Sequence, residues 1–479
     1  MPKTFFFYDL ETSGLNGRDD RIMQFAGIRT DEQFNQIGEP HNLMVALADD
    51  TLPSPRALMV TGISPQQTVD EGYTEAQFAR IFVDEIATPD TTIVGYNNVR
   101  FDDEFIRALL WRNYHDPYEW SYKDGRSRWD ILDVVRMTRA LRPDGIEWPV
   151  VDGKPVNKLE LLARVNHLEH TKAHDALSDV EALIGVTKLI AEKQTQLFQY
   201  LLTMRDKSAV KKLVNLDDAQ PVVYTSGRYD AAYEKTTVVV PIAAAEHGNV
   251  YVYDLRHDPS EWCDKTAEEL QAIISKPYAQ RDEDYRSLPV KKLQYNHCPA
   301  VAPLGVLEQQ DGWSKLGLEL GTVESNRTKL LAQTDFIDRV AAILSAKSDY
   351  TSAPEAESKL YDSFVGGRDK LRSEAVRNAN ADELRALDPK FDDARLIELY
   401  PRYKARNFPR TMTNDDRDKY EAYRAARIAR QAPGFMRDLQ AIAGTDDLSA
   451  QQQFIIDEMK LWYESIVPID EETTDELDG

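Results

Sequence analysis

The N-terminal stretch reads Thr4-Phe5-Phe6-Phe7-Tyr8-Asp9-Leu10-Glu11-Thr12, an apolar run that ends in two acids. Because side chains alternate along a strand, Asp9 and Glu11 point to one face, ~6.6 Å apart along the strand. Two carboxylates this close repel each other unless a cation lies between them, and such oxygen ligands suit Mg²⁺ or Mn²⁺. The stretch predicts either a divalent-metal site or, as the alternative, a strand that runs out into a solvated turn at Ser13-Gly14.

Differences in residue pattern along the chain predict three domains and a tail. Up to residue 195, strand-like and helix-like segments alternate, which predicts an α/β domain on a mixed sheet. Short β-type runs broken by glycine over residues 196–348 predict a small antiparallel, barrel-like domain with some helix. Residues 349–468 predict an all-α domain interrupted at Pro389, Pro401, Pro409 and Pro433. The acids of 469–479, without any base, predict a disordered tail.

Composition limits the class of protein. The 479 residues include 58 basic and 81 acidic side chains, a formal charge of −23, whereas nucleic-acid-binding proteins usually carry a surplus of Lys and Arg. No run approaches the ~20 apolar residues of a membrane span, and the apolar start is too short and acidic for a secretory signal. Two cysteines, Cys263 and Cys298, exclude a disulfide scaffold and a Cys-rich zinc site. We expect a soluble, cytoplasmic protein without a membrane partner.

Two further acidic signals follow the first strand. Asp102 lies at a strand-to-helix junction within Tyr96–Glu104, where a carboxylate also makes an ordinary helix N-cap. His174 stands at the entry of a helix whose first turns contain Asp179, and a lone His at such a place is more often structural than catalytic. Each signal alone is compatible with a purely structural role.

Taken together, the order and spacing of these positions resemble the DnaQ-like, or DEDD, superfamily of 3′→5′ exonucleases, in which four acids bind two divalent metal ions. Asp9, Glu11, Asp102 and Asp179 occupy the four acidic motif positions, and His174, five residues before the last acid, identifies the histidine branch. The resemblance implies a ribonuclease H-like exonuclease fold. It also implies two Mg²⁺ ions, for which Mn²⁺ can substitute, and a proton transfer from metal-bound water to His174.

Longer motifs narrow the resemblance to the bacterial exodeoxyribonuclease I family, from about Thr4 to Val467. The motifs are Tyr-Asn-Asn-Val-Arg-Phe-Asp-Asp-Glu at 96–104, Ser127-Arg128-Trp129-Asp130, Ala140-Leu141-Arg142-Pro143, Ala173-His174-Asp175-Ala176 and Ala405-Arg406-Asn407-Phe408-Pro409. This resemblance implies degradation of single-stranded DNA from its 3′ end to nucleoside 5′-monophosphates, in DNA repair and recombination. We expect a monomer.

The same resemblance implies a DNA groove of cations and stacking aromatic rings. The implied DNA-facing side chains are Arg107, Tyr118, Tyr122, Arg136, Arg142, Lys207 and Arg406, and those near the terminal nucleotide are Glu11, Thr12 and Lys158. Tyr122 stands where the better-known member of the family has Trp, so an aromatic ring for stacking is kept. Lys158 stands where that member has Arg, so the charge is kept but the bidentate hydrogen bonding of a guanidinium is lost. The alternatives are an aromatic core with solvated arginines, a turn-capping hydroxyl for Thr12, and a solvated helix face for the basic cluster of residues 402–410.

The family also binds the acidic, hydrophobic-ended tail of single-strand DNA-binding protein, and the resemblance implies a pocket of Arg142, Lys315 and Arg339 for it. Two other functions stay open. A 3′→5′ exoribonuclease or proofreading-type exonuclease uses the same four acids and histidine, and a catalytically silent single-stranded-DNA-binding scaffold retains the fold. The two additional domains favour DNA as the substrate, and the retention of all five positions favours an enzyme.

Overall fold

The computed structural model describes residues 3–168, 176–346, 355–445 and 447–467. The predicted acidic tail, 469–479, lies outside the described residues. In the N-terminal region the strands are β1 (Thr4–Thr12), β2 (Ile22–Thr30), β3 (His41–Met44), β4 (Thr91–Gly95), β5 (Ser127–Asp130), β6 (Val150–Val151) and β7 (Lys154–Pro155). The helices are α1 (Pro55–Thr61), α2 (Pro65–Glu71), α3 (Glu75–Ile81), α4 (Asp102–Arg112), α5 (Ile131–Leu141), α6 (Leu159–Val165), α7 (Ala176–Lys193), α8 (Thr195–Thr203) and α9 (Lys207–Leu213).

The first five strands form one mixed sheet in the order β3-β2-β1-β4-β5, which confirms the predicted α/β class. Strand β1 pairs antiparallel with β2 and parallel with β4, so it is the central strand. Phe5 and Phe7 pack in the core beneath α5 and α7, while Phe6 and Tyr8 pack in the core beneath α3 and α4. Because both faces of β1 are covered, its apolar run is continuous rather than alternating.

The middle region forms a second, five-stranded sheet. Its strands are β8 (Val222–Thr225), β9 (Thr236–Ala245), β10 (Asn249–Asp254), β11 (Val290–Leu293) and β12 (Ala300–Pro303), and its helices are α10 (Ala267–Ser275), α11 (Gly312–Lys315), α12 (Leu320–Leu331) and α13 (Thr334–Ser345). The strand order is β11-β10-β9-β8-β12, and every pairing is antiparallel, as predicted. Within the described residues β11 and β12 remain the two edges, so the sheet is open and not a closed barrel.

The C-terminal region is all-α, as predicted. Its helices are α14 (Gly367–Asn378), α15 (Ala381–Ala386), α16 (Ala394–Asn407), α17 (Asn414–Ala443) and α18 (Ala450–Ile466). Pro401 and Pro433 were expected to break helices, but they lie inside α16 and α17. Leu399 and Tyr403 flank Pro401 and are buried in the domain core, and this packing outweighs the hydrogen bond that proline removes. No helix among the described residues is long and apolar enough to cross a membrane.

Candidate metal and DNA site

Three acids from two elements meet at the end of the central strand. Oxygen atoms of Asp9, Glu11 and Asp179 all lie within 4.8 Å of one another. Asp9 and Glu11 come from the last residues of β1, and Asp179 comes from the first turn of α7. Helix α7 packs on β1 through a buried apolar stripe that includes Val180 and Leu183, and this packing brings Asp179 to the strand. The structure thus brings together three of the four predicted acids.

Asp102 is buried, with 5% of its surface exposed, at the first position of α4. The N-cap position belongs to Phe101, so the capping alternative does not describe Asp102. Burial, followed by the charges of Asp102, Glu11 and Asp179, raises the pKa of Asp9 well above its usual range. Burial and the neighbouring Asp103 do the same to the pKa of Asp102. A cluster of carboxylates with raised pKa values is what a divalent cation relieves, so these residues fit the metal ions that the sequence predicts.

Asp103, the neighbour of Asp102, has a structural role that the sequence reasoning missed. Its carboxylate is fully buried, forms an ion pair with Arg128 of β5, and accepts hydrogen bonds from the Tyr8 hydroxyl at 2.9 Å and the Asn98 amide at 3.2 Å. These contacts tie the start of α4 to strands β1 and β5. The only sign of this role in the sequence was that the quoted motifs contain both an acid, Asp103, and an arginine, Arg128.

Asp130 is a second missed residue. It is the N-cap of α5, where its carboxylate accepts from the backbone N–H of Leu132 at 3.0 Å and of Asn97 at 2.9 Å. Burial and the adjacent Asp133 raise the pKa of Asp130 to about 6. Asp130 therefore anchors the loop that leads to Asp102, because Asn97 lies between β4 and α4.

The predicted base, His174, lies outside the described residues, and its role stays a prediction. Thr12 is buried, and its hydroxyl donates to the Gly14 carbonyl at 2.8 Å, which is the turn-capping contact that the sequence left open. Lys158 precedes α6 with an exposed side chain, 3.8 Å from Glu160. Lys207 is the exposed first residue of α9. Their contacts with a nucleotide stay predictions.

An aromatic cluster joins the N-terminal and C-terminal regions. The Tyr118 ring lies 6.3 Å from the Tyr361 ring and 6.3 Å from the Phe364 ring, measured between centroids. The Arg107 guanidinium lies 5.9 Å from the Tyr118 ring and is paired with Glu104 at 2.6 Å. The structure thus brings Arg107 and Tyr118 together with Tyr361 and Phe364, two aromatic residues that the sequence reasoning missed, and their contact with DNA stays a prediction.

Tyr122 is 64% exposed and lies in the segment between Tyr118 and β5. An exposed tyrosine of this kind offers a face on which a base can stack.

A second cluster of cations lies between the N-terminal and middle regions. Arg136 and Arg100 both pair with Asp133, at 2.6 and 3.2 Å. The Lys291 amine lies 4.9 Å from the Tyr224 ring, and burial lowers its pKa to about 7. The sequence predicts Arg136 as a DNA-facing residue, which stays a prediction, and it gives no sign of Lys291, because Lys291 meets the charges of Asp133 and Arg136 only in the tertiary structure.

Arg406 requires a correction. It was predicted to face DNA, within the basic cluster of residues 402–410, but its side chain is only 4% exposed. Its guanidinium pairs with Asp50 at 2.5 Å and with Glu357 at 2.5 Å. Arg402 pairs with Glu398 and Lys404 with Asp416, and both basic side chains are buried. These cations therefore form internal ion pairs: the partner of Arg402 lies on the same helix, that of Lys404 lies on the next helix, and those of Arg406 lie far away along the chain.

The predicted partner pocket is only partly brought together. Arg142 is buried, and its guanidinium donates to the Val306 carbonyl at 2.9 Å and to the Gln309 side chain at 3.0 Å. These partners immediately precede α11, whose last residue is the exposed Lys315. Arg339 of α13 donates instead to the Cys263 carbonyl at 2.6 Å. The structure therefore places Arg142 near the helix of Lys315, while Arg339 holds a different segment.

Comparison with known proteins identifies the family. Sequence models of three families match the chain: Exonuclease at residues 6–187, Exonuclease I SH3-like domain at 205–346, and Exonuclease I C-terminal domain at 354–466. Exodeoxyribonuclease I of Haemophilus influenzae is 38% identical over 94% of this chain and 97% of its own length. The chain belongs to the exodeoxyribonuclease I family. The corresponding Escherichia coli protein is 38% identical over 88% of this chain and 89% of its own length.

Solved exonuclease I structures share the whole architecture. E. coli exonuclease I in complex with a dA16 oligonucleotide superimposes with a TM-score of 0.92 at 34% identity, over 97% of this chain and all of that chain. The enzyme from Methylocaldum szegediense gives a TM-score of 0.91 at 36% identity over the same share of each chain. A zinc-bound form of the E. coli complex with single-stranded DNA is also similar, with a TM-score of 0.92 at 34% identity over 97% of this chain and all of that chain. The exodeoxyribonuclease I fold thus extends through all three regions, and its exonuclease domain is of a divalent-metal-dependent class.

Proposed function

We propose that this chain is an exodeoxyribonuclease that removes nucleoside 5′-monophosphates from the 3′ end of single-stranded DNA in a metal-dependent reaction. The observation that carries the proposal is the meeting of the Asp9, Glu11 and Asp179 carboxylates at the end of the central strand. Membership of the exodeoxyribonuclease I family and the likeness to enzyme–oligonucleotide complexes support single-stranded DNA as the substrate.

The chemistry follows from the residues of the site. Asp9, Glu11, Asp102 and Asp179 would hold two divalent ions, for which we propose Mg²⁺ because all four side chains are hard oxygen donors. When bound, such ions supply an acidified water and neutralise charge on the phosphoryl group. The chain itself contributes orientation, because β1, α4 and α7 fix these acids at one edge. His174 would accept the proton from the attacking water, since the usual pKa of His is near working pH.

The strand of DNA would be held by aromatic rings and cations next to the acids. Tyr118 and Tyr122 offer ring faces, and stacking is worth ~1–3 kcal/mol per base. Arg107 and Arg136 offer charge, although each also pairs with a neighbouring acid. Local cations and aromatic rings of this kind bind DNA within the groove, so the net charge of −23 does not exclude a nucleic-acid substrate.

The function is tested with 5′-labelled single-stranded DNA, duplex DNA and RNA, each incubated with Mg²⁺ or with EDTA. We expect single-stranded DNA alone to shorten from its 3′ end, and only with metal. Asp9→Ala should abolish turnover and leave DNA binding largely intact. Glu32→Ala, a matched change of an exposed acid after β2, should change neither turnover nor DNA binding.

Other outcomes of this experiment select other functions. Equal digestion of RNA would indicate an exoribonuclease or proofreading-type enzyme, which uses the same acids. Binding without any digestion would indicate a silent scaffold. Normal activity of Asp9→Ala with Mg²⁺ would overturn the assignment of the site.

We further propose that the enzyme acts as a cytoplasmic monomer in DNA repair and binds the acidic C-terminal tail of single-strand DNA-binding protein. Free thiols at Cys263 and Cys298 support a reducing compartment. For the tail, Lys315 is an exposed cation on α11, the helix that follows the Arg142 partners Val306 and Gln309, and Lys315→Ala should reduce stimulation by the partner without changing activity on free DNA. Unchanged stimulation would contradict this site.

A further inference from the structure

A single loop, residues 13–21, leads from the acidic end of β1 into β2. Within its own domain the loop is closed by Ser13, whose N–H donates to the Arg21 carbonyl and whose hydroxyl accepts from the Arg21 N–H, both at 2.8 Å. The pairing of β1 with β2 shifts register between Glu11 and Thr12, just before the loop begins. A register shift of this kind changes the direction of the neighbouring side chains. Because the loop begins directly after the shift, we expect the path of the loop to influence the orientation of Glu11.

The loop also approaches the element that carries the fourth acid. A Cβ atom at Gly17 would lie 3.0 Å from the backbone nitrogen of Phe105 in α4. Because only glycine allows this approach, the loop packs directly on the helix that begins with Asp102. A displacement of the loop would therefore disturb both β1 and α4.

Residues of the C-terminal region hold this loop in place. Arg427 of α17 donates to the Asp19 carbonyl at 2.5 Å and to the Asp50 carbonyl at 2.9 Å. The Glu357 carboxylate accepts from the Arg21 guanidinium at 2.7 Å. The side chains of Arg21, Glu357 and Arg427 are all 2% exposed or less. Charge-assisted bonds inside a dry interface are short and directional, so they fix the loop backbone rather than merely touching it.

We propose that Glu357 and Arg427 are positioning residues for the metal site: they fix loop 13–21 and thereby set the geometry of Glu11 relative to Asp9 and Asp179. This inference rests on the proposed function. It gives the C-terminal region a role beyond holding DNA, because the acids depend on it even when the substrate is too short to reach that region. A misplacement of about 1 Å in a reacting geometry is enough to cost on the order of 100-fold in rate.

The test uses the full chain with Glu357→Gln and Arg427→Lys, two changes that preserve side-chain size or charge. Two quantities are measured: turnover of a short thymidine oligonucleotide, chosen to limit contacts beyond the metal site, and Mn²⁺ affinity without DNA, by calorimetry. We expect kcat on the short oligonucleotide to fall at least about tenfold and Mn²⁺ binding to weaken at least about threefold, while KM for long single-stranded DNA changes less than about twofold.

The matched control is Lys419→Ala, which removes an exposed ion pair with Asp415 on α17, the helix of Arg427, and should match wild type in every measurement. Thermal unfolding shows whether each variant is folded at the assay temperature. If both buried-site variants fail to fold, Ser358→Ala decides, because it removes only a hydroxyl 3.4 Å from the Asp19 carboxylate. That variant should lower kcat on the short oligonucleotide and Mn²⁺ affinity about two- to threefold.

Wild-type values of either quantity in the folded variants would overturn the proposal. Failure of the proposed function is distinguishable, since it would show as wild-type protein that does not shorten single-stranded DNA with metal. The Mn²⁺ affinities of the variants would still report on the position of the loop.

Discussion

Asp9→Asn should stabilise the metal-free protein, although it replaces a residue proposed to be essential for catalysis. The oxygens of Asp9, Glu11 and Asp179 are at most 4.8 Å apart. At that distance two unit charges repel by about 3 kcal/mol at an effective dielectric constant of about 20. Asparagine keeps the shape and removes the charge. Two such pairs end at Asp9, but protonation already relieves part of their repulsion because the pKa of Asp9 is raised. We therefore expect the free energy of unfolding without metal to increase by about 3 kcal/mol, which equals the repulsion within one pair of carboxylates.

The assay is thermal unfolding at pH 8 with EDTA or with Mg²⁺. For a domain of the size of the N-terminal region, roughly 200 residues, an increase of about 3 kcal/mol in the free energy of unfolding corresponds to a rise of roughly 6–12 °C in Tm. Added Mg²⁺ should raise the Tm of wild type, because binding to the folded state stabilises it, and should raise that of Asp9→Asn much less.

A second buried acid, Asp103, supplies the control. Asp103→Asn removes a buried charge that is paired with Arg128, so it should destabilise the protein by about 3–5 kcal/mol. A lower Tm for Asp9→Asn than for wild type in EDTA would refute the reasoning, because it would mean that the Asp9 charge is stabilising without metal.

Three further predictions follow from buried or exposed groups outside the acidic site. Arg406→Met should lower the free energy of unfolding by about 3–5 kcal/mol in urea titrations, because it removes the cation that pairs at 2.5 Å with both buried acids, Asp50 and Glu357, and normal stability would contradict the internal role. The free energy of unfolding should rise as pH increases from about 7 towards 10, by up to about 1.4 kcal/mol per pH unit, because the folded-state pKa of Lys291 is lowered and the unfolded chain binds that proton more tightly; Lys291→Met should flatten this slope. Phe364→Ala should weaken binding of single-stranded DNA by about 1–3 kcal/mol in fluorescence anisotropy, because this ring is 87% exposed beside Tyr118, and unchanged affinity would remove Phe364 from the DNA path.

The features that the sequence predicted correctly depend on local patterns. The alternation along β1 placed Asp9 and Glu11 on one face, and the apolar stripe of α7 predicted the buried face that brings Asp179 to them. The mixed sheet, the antiparallel middle region and the helical C-terminal region followed from short-range periodicity in the same way.

The features that the sequence did not predict depend on partners far apart along the chain. Arg406 looked like one of a run of free cations because nothing near it in sequence indicates Asp50 or Glu357 as its partners. Asp103 and Asp102 look alike in sequence, yet Asp103 pairs with Arg128, whereas the charge of Asp102 acts on Asp9 and Glu11. Tertiary contacts decide whether a charge is paired, so residue type and spacing could not separate these roles.

The central claim is that Asp9, Glu11 and Asp179 hold the divalent ions on which hydrolysis depends. Crystals of the protein soaked with Mn²⁺ test it most directly, through anomalous scattering from the metal. We predict a Mn²⁺ peak within coordination distance of the Asp9 carboxylate and of at least one of the other two. Mn²⁺-dependent hydrolysis of single-stranded DNA without a peak at Asp9, or with Mn²⁺ bound only elsewhere, would contradict the claim.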